Sequence, residues 1–61
     1  MLLSFDDQGG AHVDLDTVAN VDEMMTSIVR AASRTVTFIG DTKNYQSEIQ
    51  SLMMCGHNVI V

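Results

Sequence analysis

The chain has 61 residues, 46% of them apolar and 18% charged, a balance typical of one folded domain spanning residues 1–61. Eight acidic residues against three basic ones give a formal net charge of −5, which excludes a strongly basic nucleic-acid-binding protein. No apolar stretch approaches the ~20 residues of a membrane-spanning helix. The chain shows no secretory signal pattern, and one cysteine cannot build a disulfide framework. We therefore expect a small acidic cytoplasmic domain.

The first segments predict a β-hairpin. Leu2–Phe5 is short and mostly apolar, and it ends at the turn-forming residues 6–10, where Gly9 and Gly10 allow a tight reversal. From Ala11 to Thr17 apolar and polar residues alternate, which is typical of a half-buried strand.

A helix is predicted next. Asn20 is placed to cap its first turn, and Glu23 to reach back as in a capping box. Arg30 and Arg34 suit its last turn. The apolar stripe consists of Val21, Met25, Ile28 and Ala32, with Met24 and Ala31 at its edges.

The remaining segments predict a strand, a helix and a final strand. Residues 35–39 are β-branched and aromatic, and Asp41 or Thr42 can cap the following helix, which Gly56 would close. The expected apolar side of this helix is Tyr45, Ile49, Leu52 and Met53, and we expect Cys55 to pack in the core. Residues 57–61 are the last strand.

The order β-β-α-β-α-β predicts a two-layer α/β (α+β) domain. Each helix joins two strands by a right-handed crossover, so a four-stranded mixed sheet would carry both helices on one face. The side chains expected to point at the helices are Leu3, Phe5, Val13, Leu15, Val36 and Phe38. The side chains expected on the open face are Ser4, His12, Asp14, Thr35 and Thr37.

Two short stretches resemble motifs of the haloacid dehalogenase-like phosphohydrolases. Residues 2–10 resemble the family's first motif, a strand that ends in Asp-x-Asp-Gly-Thr, and residues 37–41 resemble its Gly-Asp-x-x-x-Asp motif. The resemblance implies that Asp6 is a nucleophile and Asp41 a magnesium ligand. Gln8 and Tyr45 depart from it, because they replace the acid–base aspartate and the second acidic ligand. We therefore predict no enzyme activity, and the degenerate remnant stays an alternative.

The remaining polar residues of the sequence predict neither a cofactor site nor a metal site. His12, Asp14 and Asp16 would share one face of a strand, but neighbouring side chains on a flat strand diverge and do not converge on a cation. No glycine-rich phosphate loop or nucleophilic triad is apparent in the sequence.

The acidic residues are concentrated early in the chain. Six of them precede the first basic residue, Arg30, and we predict that these six form a surface that binds a basic partner: Asp6, Asp7, Asp14, Asp16, Asp22 and Glu23. We expect no direct contact with nucleic acid and none with a membrane.

In its small size and acidic charge the chain resembles the inhibitors that bacteriophages and mobile elements carry, anti-CRISPR proteins among them. The resemblance implies stoichiometric binding and inhibition of a nucleic-acid-handling host protein, in some cases by DNA mimicry. An alternative is a homo-oligomeric regulatory or structural subunit, because domains of this size often gain stability by association. A homodimer would pair through residues 59–61 or through the open sheet face.

Overall fold

The computed structural model describes residues 2–61 and has the predicted element order. Its strands are β1 (Leu2–Phe5), β2 (Ala11–Asp14), β3 (Thr35–Ile39) and β4 (Asn58–Ile60), and its helices are α1 (Val21–Ala31) and α2 (Gln46–Met54). The strands form one sheet in the order β1-β2-β3-β4. β1 pairs antiparallel with β2, while β2, β3 and β4 run parallel, so the mixed sheet of the predicted α+β fold is confirmed.

Both helices pack on the same face of the sheet. Met24 and Ile28 of α1 join Ile49 and Leu52 of α2 in one buried cluster. The sheet contributes Val13, Val36 and Phe38, and Leu15 follows directly after β2. The opposite face is open and mostly polar, as predicted: His12, Asp14, Thr35 and Thr37 are half-buried there.

The end of β2 differs from the prediction. Residues 15–17 form a 3-10 turn and do not continue the strand. The Asp14 carboxylate accepts the Asp16 amide at 3.1 Å, and the Thr17 hydroxyl donates to the Asp14 carbonyl at 2.8 Å. These local bonds compete with the strand ladder, which explains why β2 stops at Asp14.

Asn20 caps the start of α1 as predicted, but the described residues show no return bond from the Asn20 amide to the Glu23 side chain, and the end and the buried face of the helix also differ from the prediction. Asn20 accepts the Glu23 amide at 3.1 Å. The helix ends at Ala31, and Ala32 takes a left-handed conformation with φ 55°, so Arg34 lies beyond the last turn. Met24 is fully buried, Met25 only partly, and Ala32 is exposed, which shows that the buried stripe is rotated from the predicted one.

The second helix is shorter than expected and buries less. A 3-10 turn over 43–45 precedes α2, and only Ile49 and Leu52 are buried. Met53 and Cys55 are exposed, so their predicted core positions are wrong. Gly56 closes the helix as predicted, with φ 97° and its amide donating to the Met53 carbonyl.

Phe5 is the other incorrect core assignment, with 53% of its surface exposed. It pairs with Ala11 at the outer end of the edge strand β1, where only one neighbouring strand is present. Leu3, one row further along the same face, packs against the core.

Candidate functional site

The three parallel strands give the sheet two different ends. β2, β3 and β4 all begin at one end, which we call the amino end. Both helices begin where a parallel strand stops, at the opposite, carboxyl end. In open α/β sheets ligands commonly bind beyond the carboxyl ends of the strands, which makes this end a candidate binding surface.

Four of the six acids selected from the sequence lie at the carboxyl end. Asp14 is the last residue of β2 and Asp16 lies in the 3-10 turn that follows. Asp22 and Glu23 occupy the first turn of α1. The strand direction therefore brings these four together, as the acidic-surface hypothesis requires.

Two further acids reach the same end from later in the chain. Asp41 follows β3, and Glu48 lies in the first turn of α2. The Asp16 carboxylate lies against Gly40, the residue before Asp41, where an added Cβ would be 3.6 Å from the Asp16 Oδ1 atom. Sequence order alone did not select Asp41 and Glu48 for this surface. They could have been predicted from the fold class, because the residues that follow parallel strands all lie at the carboxyl end of the sheet.

We call these six side chains the acidic rim: Asp14, Asp16, Asp22, Glu23, Asp41 and Glu48. Lys43 is the one basic residue of the same region, so this end carries the whole formal net charge of −5. Among residues 2–61 the structure contains one ion pair, His12 with Asp6, and it involves no member of the rim. No three metal-ligating side chains of the described chain converge on a common point.

Two carboxylates of the acidic rim also stabilise the local backbone by accepting hydrogen bonds. The Asp14 carboxylate caps the turn that follows it, and the Asp41 carboxylate accepts the Lys43 amide at 2.9 Å. Each of these carboxylates bonds one backbone amide through one oxygen, so the second oxygen of each can accept from a partner. The described side chains give no comparable hydrogen bond to the carboxylates of Asp16, Asp22 or Glu23.

Asp6 and Asp7 lie at the amino end, so the expectation that all six acids share one surface is wrong. They follow β1, which runs antiparallel to its neighbours and therefore ends where the other strands begin. Both are exposed residues of the β1–β2 turn. They are about one strand length, roughly 13 Å, away from the acidic rim.

The Asp6 carboxylate organises the β1–β2 turn. Its Oδ1 atom accepts the Gly10 amide at 2.7 Å and the Gln8 amide at 2.9 Å. His12 Nε2 donates to Oδ2 at 3.2 Å. The Gly10 amide above all, then the Gln8 amide and His12, hold the pKa of the Asp6 carboxyl below its ordinary value.

The positive charge of the amino end comes from two arginines. Arg30 lies in the last turn of α1 and Arg34 just before β3, and together they balance Asp6 and Asp7. His57 lies here too, where its Nδ1 donates to the carbonyl oxygen of Ser33 at 2.6 Å.

A groove of about 510 Å³ lies at the amino end and extends onto the open face of the sheet. The β1–β2 turn forms one side of it and the residues around the start of β3 form the other. Asp6, His12, Arg34, Thr35 and Thr37 are its main polar side chains.

The phosphohydrolase-like pairing is not present in the fold. Asp6 lies at the amino end and Asp41 at the carboxyl end, because one follows the antiparallel strand and the other a parallel one. The two carboxylates therefore cannot hold the same magnesium ion. The row of His12, Asp14 and Asp16 is broken as well, since Asp16 lies in the 3-10 turn beyond the strand.

A comparison with known proteins finds no family model, no curated protein and no solved structure that matches the chain significantly. None of the helices in the described residues is long and apolar enough to cross a membrane.

Proposed function

We propose that this chain is a non-enzymatic cytoplasmic protein that binds a basic, nucleic-acid-handling partner through the acidic rim and thereby inhibits it. The observation that supports the proposal is that the whole net charge of −5 lies at one end of the molecule, on side chains from four separate segments. Asp6 and Asp7, the remaining acids of the predicted set, are not part of the proposed contact.

The rim suits a protein surface better than a single cation. Its carboxylates are spread along the edge of the sheet and the starts of both helices, whereas a metal ion needs ligands that converge within ~2.5 Å. A surface with one sign of charge attracts a partner of the opposite sign from a distance and disfavours acidic partners.

Inhibition follows from the chemistry that such a partner already uses. A protein that handles nucleic acid binds phosphates with arginine and lysine side chains, and those side chains bind carboxylates with the same geometry. A partner whose cationic groove holds the acidic rim therefore has fewer basic groups available for DNA or RNA. The proposed inhibition is competitive, as in a DNA mimic.

The test compares two double variants that each remove two charges. Asp16→Asn with Asp41→Asn changes the rim, and Asp6→Asn with Asp7→Asn changes the amino end. Each pair removes two carboxylate charges and contains one aspartate that accepts backbone amides: Asp41 accepts one, and Asp6 accepts two and also pairs with His12. The Oδ1 atom of an asparagine can still accept the backbone amides in both variants.

The partner is isolated from nuclease-treated extract of the source cells and identified by mass spectrometry, and its affinity for each variant is then measured by calorimetry. We expect the rim variant to bind about fivefold to tenfold more weakly and the amino-end variant to bind almost as the unmodified chain does. Added chain should release the partner's nucleic acid, and higher salt should weaken the complex. Equal effects of the two variants, or a partner that keeps its nucleic acid, would contradict the proposal.

The homo-oligomeric alternative stays a prediction. β4 is an edge strand, its last residue Ile60 is 48% exposed, and Val61, which follows it, is 75% exposed.

A further inference from the structure

The groove at the amino end has a floor built by three neighbouring strands. His12, Thr37 and Ile60 are in register across β2, β3 and β4, and all three line the groove. Thr35 lies beside Thr37 on the same face of β3. A volume of about 510 Å³ is within the usual range for small-molecule sites, so the groove can take a ligand of several heavy atoms.

Two residues that carry a full charge line the groove, Asp6 from the β1–β2 turn and Arg34 from just before β3. Asp6 is held at the β1–β2 turn, where its amide donates to the Gly10 carbonyl at 2.9 Å. Arg34 lies on the opposite side, where its carbonyl accepts the Asn58 amide at 2.7 Å next to β4. Arg34 has no ion pair with any residue from 2 to 61, so its guanidinium is available to a ligand.

The polar groups around each charge match a different ligand group. The hydroxyls of Thr35 and Thr37 are near the start of β3 and can donate to the same ligand group as the Arg34 guanidinium. Together these donors suit a carboxylate. On the other side the Asp6 Oδ2 atom accepts from His12 and keeps capacity for a second donor. A carboxylate oxygen with a free lone pair can accept from an ammonium group.

We propose that this groove binds a small zwitterion, an α-amino acid with an apolar side chain. Its carboxylate pairs with Arg34, its ammonium with Asp6, and its side chain lies against Ile60, which is 48% exposed. A simple anion would also lie near the Asp6 carboxylate, and a simple cation near Arg34, so a ligand with both charges suits the groove better than either. The groove lies at the end opposite the acidic rim, and the inference does not depend on the proposed function.

The test titrates the full chain with L-leucine and with two analogues that each lack one charged group. 4-Methylpentanoate lacks the ammonium, and 3-methylbutylamine lacks the carboxylate. We expect saturable changes in the amide NMR signals of Gly10, His12, Thr35 and Thr37, with a leucine dissociation constant in the millimolar range for so small a ligand. Each analogue should bind about tenfold more weakly, because a charge-assisted contact is lost.

Two arginine variants supply the matched comparison. Arg34→Gln removes the guanidinium from the groove, and Arg30→Gln makes the same change of charge outside it. We expect Arg34→Gln to weaken leucine binding about tenfold and Arg30→Gln to change it less than about twofold. Equal losses in the two variants, equal affinity for 4-methylpentanoate, or no saturable change in the tens of millimolar would overturn the proposal.

Discussion

The amino and carboxyl ends of the sheet both carry aspartates, but the two ends treat them differently. At the amino end the Asp6 carboxylate bonds two backbone amides and His12, and two arginines balance the acidic charge. At the carboxyl end six acids meet a single lysine, and none of the six has an ion pair with a described residue. The role of an acidic residue in this fold therefore does not follow from the density of acids along the chain. That role depends on which backbone amides and basic side chains lie near each acid in the fold.

The largest effect is expected at the amino end, from Gly10→Ala. Gly10 is buried, and a Cβ there would lie 2.5 Å from Oδ2 of Asp6, so the carboxylate has to shift, and we expect this shift to weaken its bonds to the Gln8 and Gly10 amides. We expect the free energy of unfolding, measured with urea, to fall by about 2 kcal/mol. Gly9→Asn is the control, because nothing lies within 4 Å of a Cβ at Gly9 and asparagine tolerates its positive φ. A loss for Gly10→Ala no larger than that of Gly9→Asn would mean that Asp6 does not organise the turn.

A smaller effect is expected from pH at the same end. Because the folded state lowers the pKa of Asp6, its contribution to stability is complete above the ordinary aspartate value of about 3.9 and is lost as the pH falls through the lower, folded value. The difference in unfolding free energy between the unmodified chain and Asp6→Asn should therefore shrink on acidification. His12→Asn should leave most of the lowering in place, since the Gly10 amide is its largest cause. NMR titration of the carboxyl carbon measures both, and an ordinary pKa for Asp6 would contradict the assignment.

The smallest effect is expected at the carboxyl end, from Asp16→Asn. The Asp16 carboxylate accepts no backbone amide in the described chain and lies beside Gly40, at the end that carries six acids and one lysine, so we expect its removal to relieve repulsion. We expect a gain in unfolding free energy of about 0.5 kcal/mol at low salt, and almost none at about 0.5 M salt, where charges are screened. Asp7→Asn at the amino end should give no such gain. Equal, salt-dependent gains in both variants would mean that net charge matters and its location does not.

The sequence predicted the order of elements because each depends on near neighbours. Asn20 caps α1 and Gly56 closes α2, as their residue types indicate. Alternation over residues 35–39 predicted β3 with its observed ends. These signals act over a few residues, so no tertiary contact was needed to interpret them.

Other details depended on packing and were not predictable from periodicity. Met24 and Met25 are adjacent, and either can lead an apolar stripe, so the position of α1 over the sheet decided that Met24 is buried. Met53 and Cys55 continue the apolar run of α2, yet only the side with Ile49 and Leu52 faces the sheet. Phe5 alternates correctly for the inner face but lies at the uncovered end of an edge strand.

A small acidic domain with two helices on a mixed sheet was predictable from the amino-acid sequence, because composition and short-range periodicity are properties of the chain. Which acids lie together depends on the pairing of the strands. Parallel pairing of β2 with β3 brings Asp16 to Gly40, the residue before Asp41, and antiparallel pairing of β1 takes Asp6 to the other end, beside His12. Strand pairing joins residues that are distant in the chain, and the order of charges along the sequence contains no information about strand direction.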